Sequence, residues 1–128
     1  MDNYLTKADQ LFLLAKKELN NAKELNCEPI ARDACGKAWI AVTDALRGYL
    51  LYKGLKEKQL PKSERQRHDT LATYGDEKMR SLYNSIRSEV HENAYYEGII
   101  NYPWLFEAFK EVKQFIYRCQ NGTKTQNK

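Results

Sequence analysis

The chain has little with which to hold a metal. Its 128 residues include three cysteines and two histidines, and no two of them stand at metal-ligand spacing, which excludes zinc fingers and ribbons. Cys27, Cys35 and Cys119 are too scattered, and odd in number, for a disulfide framework; they read as reduced packing residues of a cytosolic protein. Glycine and proline are also sparse, with six and three, against 42% hydrophobic and 30% charged residues. That balance argues against disorder and against a turn-rich all-β chain. Long apolar runs are missing too. None is longer than Leu11 to Ala15, which is too short to cross a bilayer, and Met-Asp-Asn-Tyr-Leu-Thr-Lys at the N-terminus lacks the layout of a secretory leader. The expectation is a single cytoplasmic domain with no membrane association, in which the sequon at Asn121-Gly-Thr123 is fortuitous. Glycine-rich phosphate loops, Cys-x-x-Cys, His-Glu-x-x-His and Gly-x-Ser-x-Gly are all absent from the sequence.

What the chain does have is helical periodicity. Tyr4, Ala8, Leu11, Phe12, Ala15, Leu19, Ala22 and Leu25 recur at steps of three and four and predict an amphipathic helix over residues 3–26. Pro29 ends it and suits the first turn of a second helix, to about Lys53. Ala34, Ala38, Ala41, Ala45 and Gly48 form a small-residue ribbon there, beside a bulky stripe of Cys35, Trp39, Val42, Leu46 and Tyr49. A helix apolar over so much of its circumference belongs at the centre, with neighbours on two sides. Its polar exceptions Asp33, Lys37, Asp44 and Arg47 can pair across a turn, and Asp44 is also a candidate contributor to a polar site.

The segment from Lys53 to His68 carries six lysines and arginines against Glu57 and Glu64, so it alone accounts for the formal charge of +4. Two readings stand. Lys62, Arg65 and Arg67 attract a polyanion, or the segment is a solvated basic connector, since no aromatic side chain is interleaved to stack on bases. Ser63-Glu-Arg-Gln66 then matches a capping box opening a short third helix, which Gly75 stops. Asp76 opens a fourth helix with an apolar stripe of Met79, Leu82, Tyr83, Ile86, Val90 and Ala94, and Gly98 closes it. A fifth begins at Asn101-Tyr-Pro103 and buries Leu105, Ala108, Phe109, Val112, Phe115, Ile116 and Cys119. Residues 1–120 thus form one domain, and the polar residues 121–128 read as a disordered tail. The predicted fold class is all-α, an up-and-down bundle of about five helices.

Arg87, His91 and Tyr95 fall at successive steps of four and share one face of an α-helix, flanking the buried stripe. Imidazole can move a proton near neutrality, and an arginine one turn away can hold a phosphate or offset charge in a phosphorane-like transition state. A metal-free ribonuclease needs little more, because RNA supplies its own 2′-hydroxyl nucleophile. Tyr95 and Tyr96 would donate to a phosphate or stack on a base. The competing account is structural: His91 bonds Glu89 or a carbonyl, Arg87 pairs with Glu89 or Glu92, and the tyrosines pack at a helix contact.

The helix order, the small-residue second helix and the late Arg-to-His element resemble the HEPN superfamily, over about residues 3–120. His91-Glu-Asn-Ala-Tyr-Tyr-Glu-Gly98 is similar to the His-x-x-x-Tyr-Tyr-x-Gly segment of a small bacterial HEPN-like branch. The resemblance implies a homodimer whose two Arg/His pairs meet in one cleft. It implies Arg87 and His91 as catalytic residues of a metal-independent endoribonuclease, and Tyr95, Tyr96 and Asp44 as binding residues. A toxin–antitoxin role, with an antitoxin partner, or a partnership with a nucleotidyltransferase would be further consequences, and no cofactor is implied. Active members usually place four to six residues between Arg and His, commonly with Asn after the Arg. Here three intervene and Ser88 follows Arg87, which on an α-helix sets the two side chains about 40° apart instead of about 140°. The function expected is RNA or nucleotide-phosphate binding at a dimer cleft, with ribonuclease activity the lesser reading. The alternative is a non-enzymatic dimerisation or protein-docking module.

Overall fold

The structure, a computed structural model, describes residues 2–126 and the side chains of residues 3–122. Five α-helices carry it: α1 (Asp2–Leu25), α2 (Glu28–Tyr52), α3 (Glu64–Tyr74), α4 (Glu77–Ile86) and α5 (Tyr102–Gln126). Between α4 and α5, Arg87–Tyr96 is a π-helix that continues α4 without a break. No strand occurs among the described residues, and the fold is an all-α bundle as the periodicity predicts.

The four long elements alternate in direction. Lys37 of α2 bonds Glu18 of α1, while Gly48 lies against Leu5, so α1 and α2 run antiparallel. Ser85 reaches Glu111, and Asp76 reaches Arg118, which sets α4 antiparallel to α5. The small-residue ribbon of α2 does what its composition implies: Ala34, Ala38, Ala41, Ala45 and Gly48 are all fully buried. A Cβ at Gly48 would stand 2.7 Å from Leu5 Cγ, so only glycine lets α1 come this close. α2 packs on α1 along one side and on α5 and the π-helical segment along the other. The core joins Leu19, Leu46, Leu50, Ile86, Val112 and Phe115, each essentially inaccessible to water.

The turns follow from local chemistry. Asn26 takes a left-handed φ of 51°, which lets Cys27 N donate back to Ala22 O at 2.9 Å and end α1. Ser63 Oγ accepts from Gln66 N, as a capping box requires, but Gln66 Oε1 accepts from Lys62 N, one residue outside the helix. Asp76 caps α4 by accepting from Met79 N at 2.8 Å.

Two expectations are revised. The basic connector is not wholly solvated: Glu57–Gln59 form a 3-10 turn, Tyr4 donates to Glu57, and Leu60 is buried in the core. Leu25, placed on the buried stripe of the first helix, is 68% exposed, and Leu5 takes the buried role instead. The backbone from Asn121 is helical as far as Gln126, and residues 127 and 128 lie outside the described residues.

Candidate functional site

The π-helix carries Arg87, His91, Tyr95 and Tyr96, four of the residues singled out in the sequence. Ile86, Val90 and Ala94 are fully buried at strict steps of four. An α-helix lets such a stripe drift about 40° per step; the wider winding of an i→i+5 helix drifts the other way. Widening after Ile86 therefore keeps Val90 and Ala94 inside. It also carries Arg87, His91 and Tyr95 round with them, toward α2 and α3.

His91 sits in a ladder of rings. Its imidazole stacks on Trp39 of α2, with centroids 4.7 Å apart and planes 14° apart. Tyr95 lies parallel to it at 6.2 Å, and Tyr96 meets it edge-on at 5.0 Å. Below Trp39 the ladder continues through Tyr83 into Phe115, so the stack runs from the core to the surface. Tyr96, at its outer end, is 66% exposed. The Tyr95 ring rests on Gly36, where a Cβ would come within 2.8 Å of Tyr95 Cε1.

A charged network borders the ladder. Glu64 is its hub: Tyr83 donates its hydroxyl to Glu64 Oε1 at 2.8 Å, Arg67 Nη2 lies 3.4 Å from the same oxygen, and Arg87 Nε lies 3.6 Å from Oε2. Arg67 also donates to the Tyr83 hydroxyl at 2.9 Å and lies over the Trp39 ring, a cation–π contact. Arg87 donates to Glu92 Oε2 at 2.9 Å. At 3.6 Å its Nε has an ionic partner in Glu64 but no hydrogen bond, and it is buried. His91 Nδ1 is likewise buried without a hydrogen-bond partner.

Burial holds His91 below the usual histidine range; Glu64 and Glu92 oppose the shift, and Arg67 and Arg87 add to it. The imidazole is accordingly neutral at pH 7. Burial and the bond to Glu64 raise the Tyr83 phenol, which stays a protonated donor.

The C-terminal end of the π-helix is held by a residue the sequence analysis did not single out. Arg32, one turn before Gly36, donates from Nε and Nη2 to Tyr95 O at 3.1 and 2.7 Å, and from Nη2 to Tyr96 O at 3.0 Å. A planar cation suits the unpaired carbonyls of a helix terminus. Gly98, at a left-handed φ of 71°, turns the chain away beneath the guanidinium.

Arg67, Arg87, His91, Tyr95 and Tyr96 thus come together. Asp44 does not: it bonds Arg47 at 3.0 Å and faces Lys7 and Leu11 of α1. Being five residues on from Trp39, it points about 140° away around α2. Lys62 and Arg65 are exposed at the start of α3, beside the cluster in sequence but outside its bonds. Of the pairings weighed for Arg87, the one to Glu92 forms. Trp39, Glu64 and Arg32 are the residues missed. In the sequence Trp39 belongs to the bulky apolar stripe of α2, and nothing in the spacing of Glu64 or Arg32 points across the bundle. Among the described residues no group of His, Cys, Asp and Glu side chains is placed to hold a metal ion, and no helix is long and apolar enough to cross a membrane.

The model of the archaeal PaREP1/PaREP8 family matches residues 10–114. The chain belongs to this family. The PaREP1/PaREP8 match takes in the ladder from Trp39 and Tyr83 to Tyr96 and the charged network around it, and ends within α5 one residue short of Phe115. No curated protein and no solved structure matches the chain.

Proposed function

We propose that this protein binds single-stranded RNA at the outer end of the ring ladder, with Tyr96 and Tyr95 stacking on bases and Arg87 holding a phosphate. One observation carries the reading: Tyr95 and Tyr96 are 41% and 66% exposed beside a stacked imidazole, with Arg87 one turn before that imidazole on the same helix. Exposed rings bordered by cations are the usual platform for unpaired bases. The exposed pair between Arg87 and Glu92 is worth only about 0.2–1 kcal/mol, so a phosphate can take the place of Glu92. Arg65 and Lys62 extend the basic track from Arg67 along the start of α3. Similarity to HEPN proteins supports the same reading and adds a two-fold dimer that brings two such edges together. Binding is the function proposed, not cleavage, because His91 is wedged between rings with its Nδ1 buried and Arg87 is braced by two carboxylates.

Fluorescence anisotropy with a labelled, unstructured oligoribonucleotide tests this. Saturable, salt-sensitive binding should weaken about 5- to 100-fold in Tyr96→Ala, the range that loss of one stacked base implies. Arg87→Ala should weaken it too, and Glu92→Gln should strengthen it. The Tyr96→Ala thermal melt should be near that of the parent, since the ring is mostly exposed. Absence of binding to the parent protein, or binding that ignores Tyr96→Ala, defeats the reading.

A further inference from the structure

At the opposite end of α4 from the ladder lies a second concavity, with a volume of about 530 Å³. That is within the range of small-molecule sites, about 300–1,000 Å³. Three separate elements supply its cations: Lys53 just past the end of α2, Lys78 in the first turn of α4 and Arg118 on α5. Among the described residues its only carboxylate is Asp76, which is already committed. One oxygen caps Met79 N at 2.8 Å, and the other steadies Arg118 at 3.5 Å. Among the described residues Lys53 and Lys78 have no ion-pair partner, although Lys53 lies over the Tyr49 ring at 5.3 Å. Tyr117, 60% exposed, forms part of the wall.

The cavity therefore holds two uncompensated positive charges and a third held in position, on three elements that face one another. A monovalent anion would satisfy one of them. A chain of phosphoryl groups, with a charge on each group and several acceptor oxygens, reaches all three. We infer that this cavity binds a short polyphosphate chain, free or carried on a nucleotide. The site lies roughly 20 Å from His91 along α4 and the π-helix and shares no residue with the RNA edge.

Calorimetric titration of the full chain with inorganic tripolyphosphate and with ATP, in the absence of RNA, tests the inference. Both should bind saturably, and Lys78→Glu should weaken both about tenfold or more. Lys78 is exposed, and an acidic residue in a first helical turn favours the helix, so this variant should melt no lower than the parent. Lys53→Gln should weaken binding in the same direction, while Arg87→Ala should leave it unchanged. ATP binding more tightly than tripolyphosphate, with the excess lost in Tyr117→Ala, identifies a nucleotide as the source. Equal affinities identify the phosphate chain itself. No saturable binding, binding indifferent to Lys78→Glu, or binding lost in Arg87→Ala overturns the inference.

Discussion

Arg87 and Glu92 are five residues apart in the chain, yet the Arg87 Nη1 and Glu92 Oε2 atoms are 2.9 Å apart. On an α-helix, side chains five apart diverge by about 140°; in an i→i+5 helix they belong to consecutive hydrogen-bonded turns. The ion pair is thus a signature of the winding. A double-mutant cycle with Arg87→Gln and Glu92→Gln should give a coupling of about 0.2–1 kcal/mol, the range for partly exposed pairs. Additive effects on stability would show that the pair contributes nothing measurable to the fold.

Arg32 should matter more to stability than its exposure suggests. Arg32→Ala removes three hydrogen bonds to Tyr95 O and Tyr96 O and should cost about 1–2 kcal/mol, or roughly 3–10 °C in Tm. Arg32→Lys should recover little of this, because an ammonium lacks the planar fork. Hydrogen exchange should show faster exchange at the end of the π-helix in Arg32→Ala and little change in α1.

Gly36 should not tolerate a side chain. The Cβ of Gly36→Ala would come within 2.8 Å of Tyr95 Cε1, so the ring must leave its place beside His91. The ordinary gain from replacing a helical glycine, about 1 kcal/mol, should be cancelled or reversed by overpacking of about 1–3 kcal/mol. RNA binding should fall in the same variant. A melt raised by the full helix-propensity gain would contradict the packing described.

Acid should destabilise the fold through His91. Its pKa in the folded state is lowered by burial, so between that value and the unfolded value of about 6.5 the unfolded chain binds more protons. Stability contributed by the neutral ring is full above about pH 6.5 and declines as the pH falls toward the lowered folded value. Chemical denaturation at pH 7.5 and pH 5.5 should show this loss in the parent and a smaller one in His91→Gln. An equal loss in both would place the acid sensitivity elsewhere than at His91.

Much of this was legible in the chain. Alternating steps of three and four mark α1 and α5, and small residues at the same spacing mark α2 as the helix others approach, because burial of one face and close backbone packing are written directly in residue size and polarity. Ser63 and Asp76 announce helix starts because a cap is a local interaction. The fourth helix held a quieter signal. Its Ile86, Val90 and Ala94, and likewise Arg87, His91 and Tyr95, recur at strict steps of four, a period longer than an α-helix can keep in line.

The sequence by itself determined an all-α bundle, the order of its helices, the centrality of α2 and the grouping of Arg87, His91 and Tyr95 on one side of a helix. These are consequences of local propensity and periodicity. Only the tertiary structure decided that this helix widens into a π-helix, that Trp39 and Gly36 of α2 receive its rings, and that Glu64 of α3 joins Arg67, Arg87 and Tyr83. It also separated Asp44 from the site. Those outcomes depend on which faces meet across the bundle, and that depends on how closely two helices can approach and on where a buried charge can find a partner.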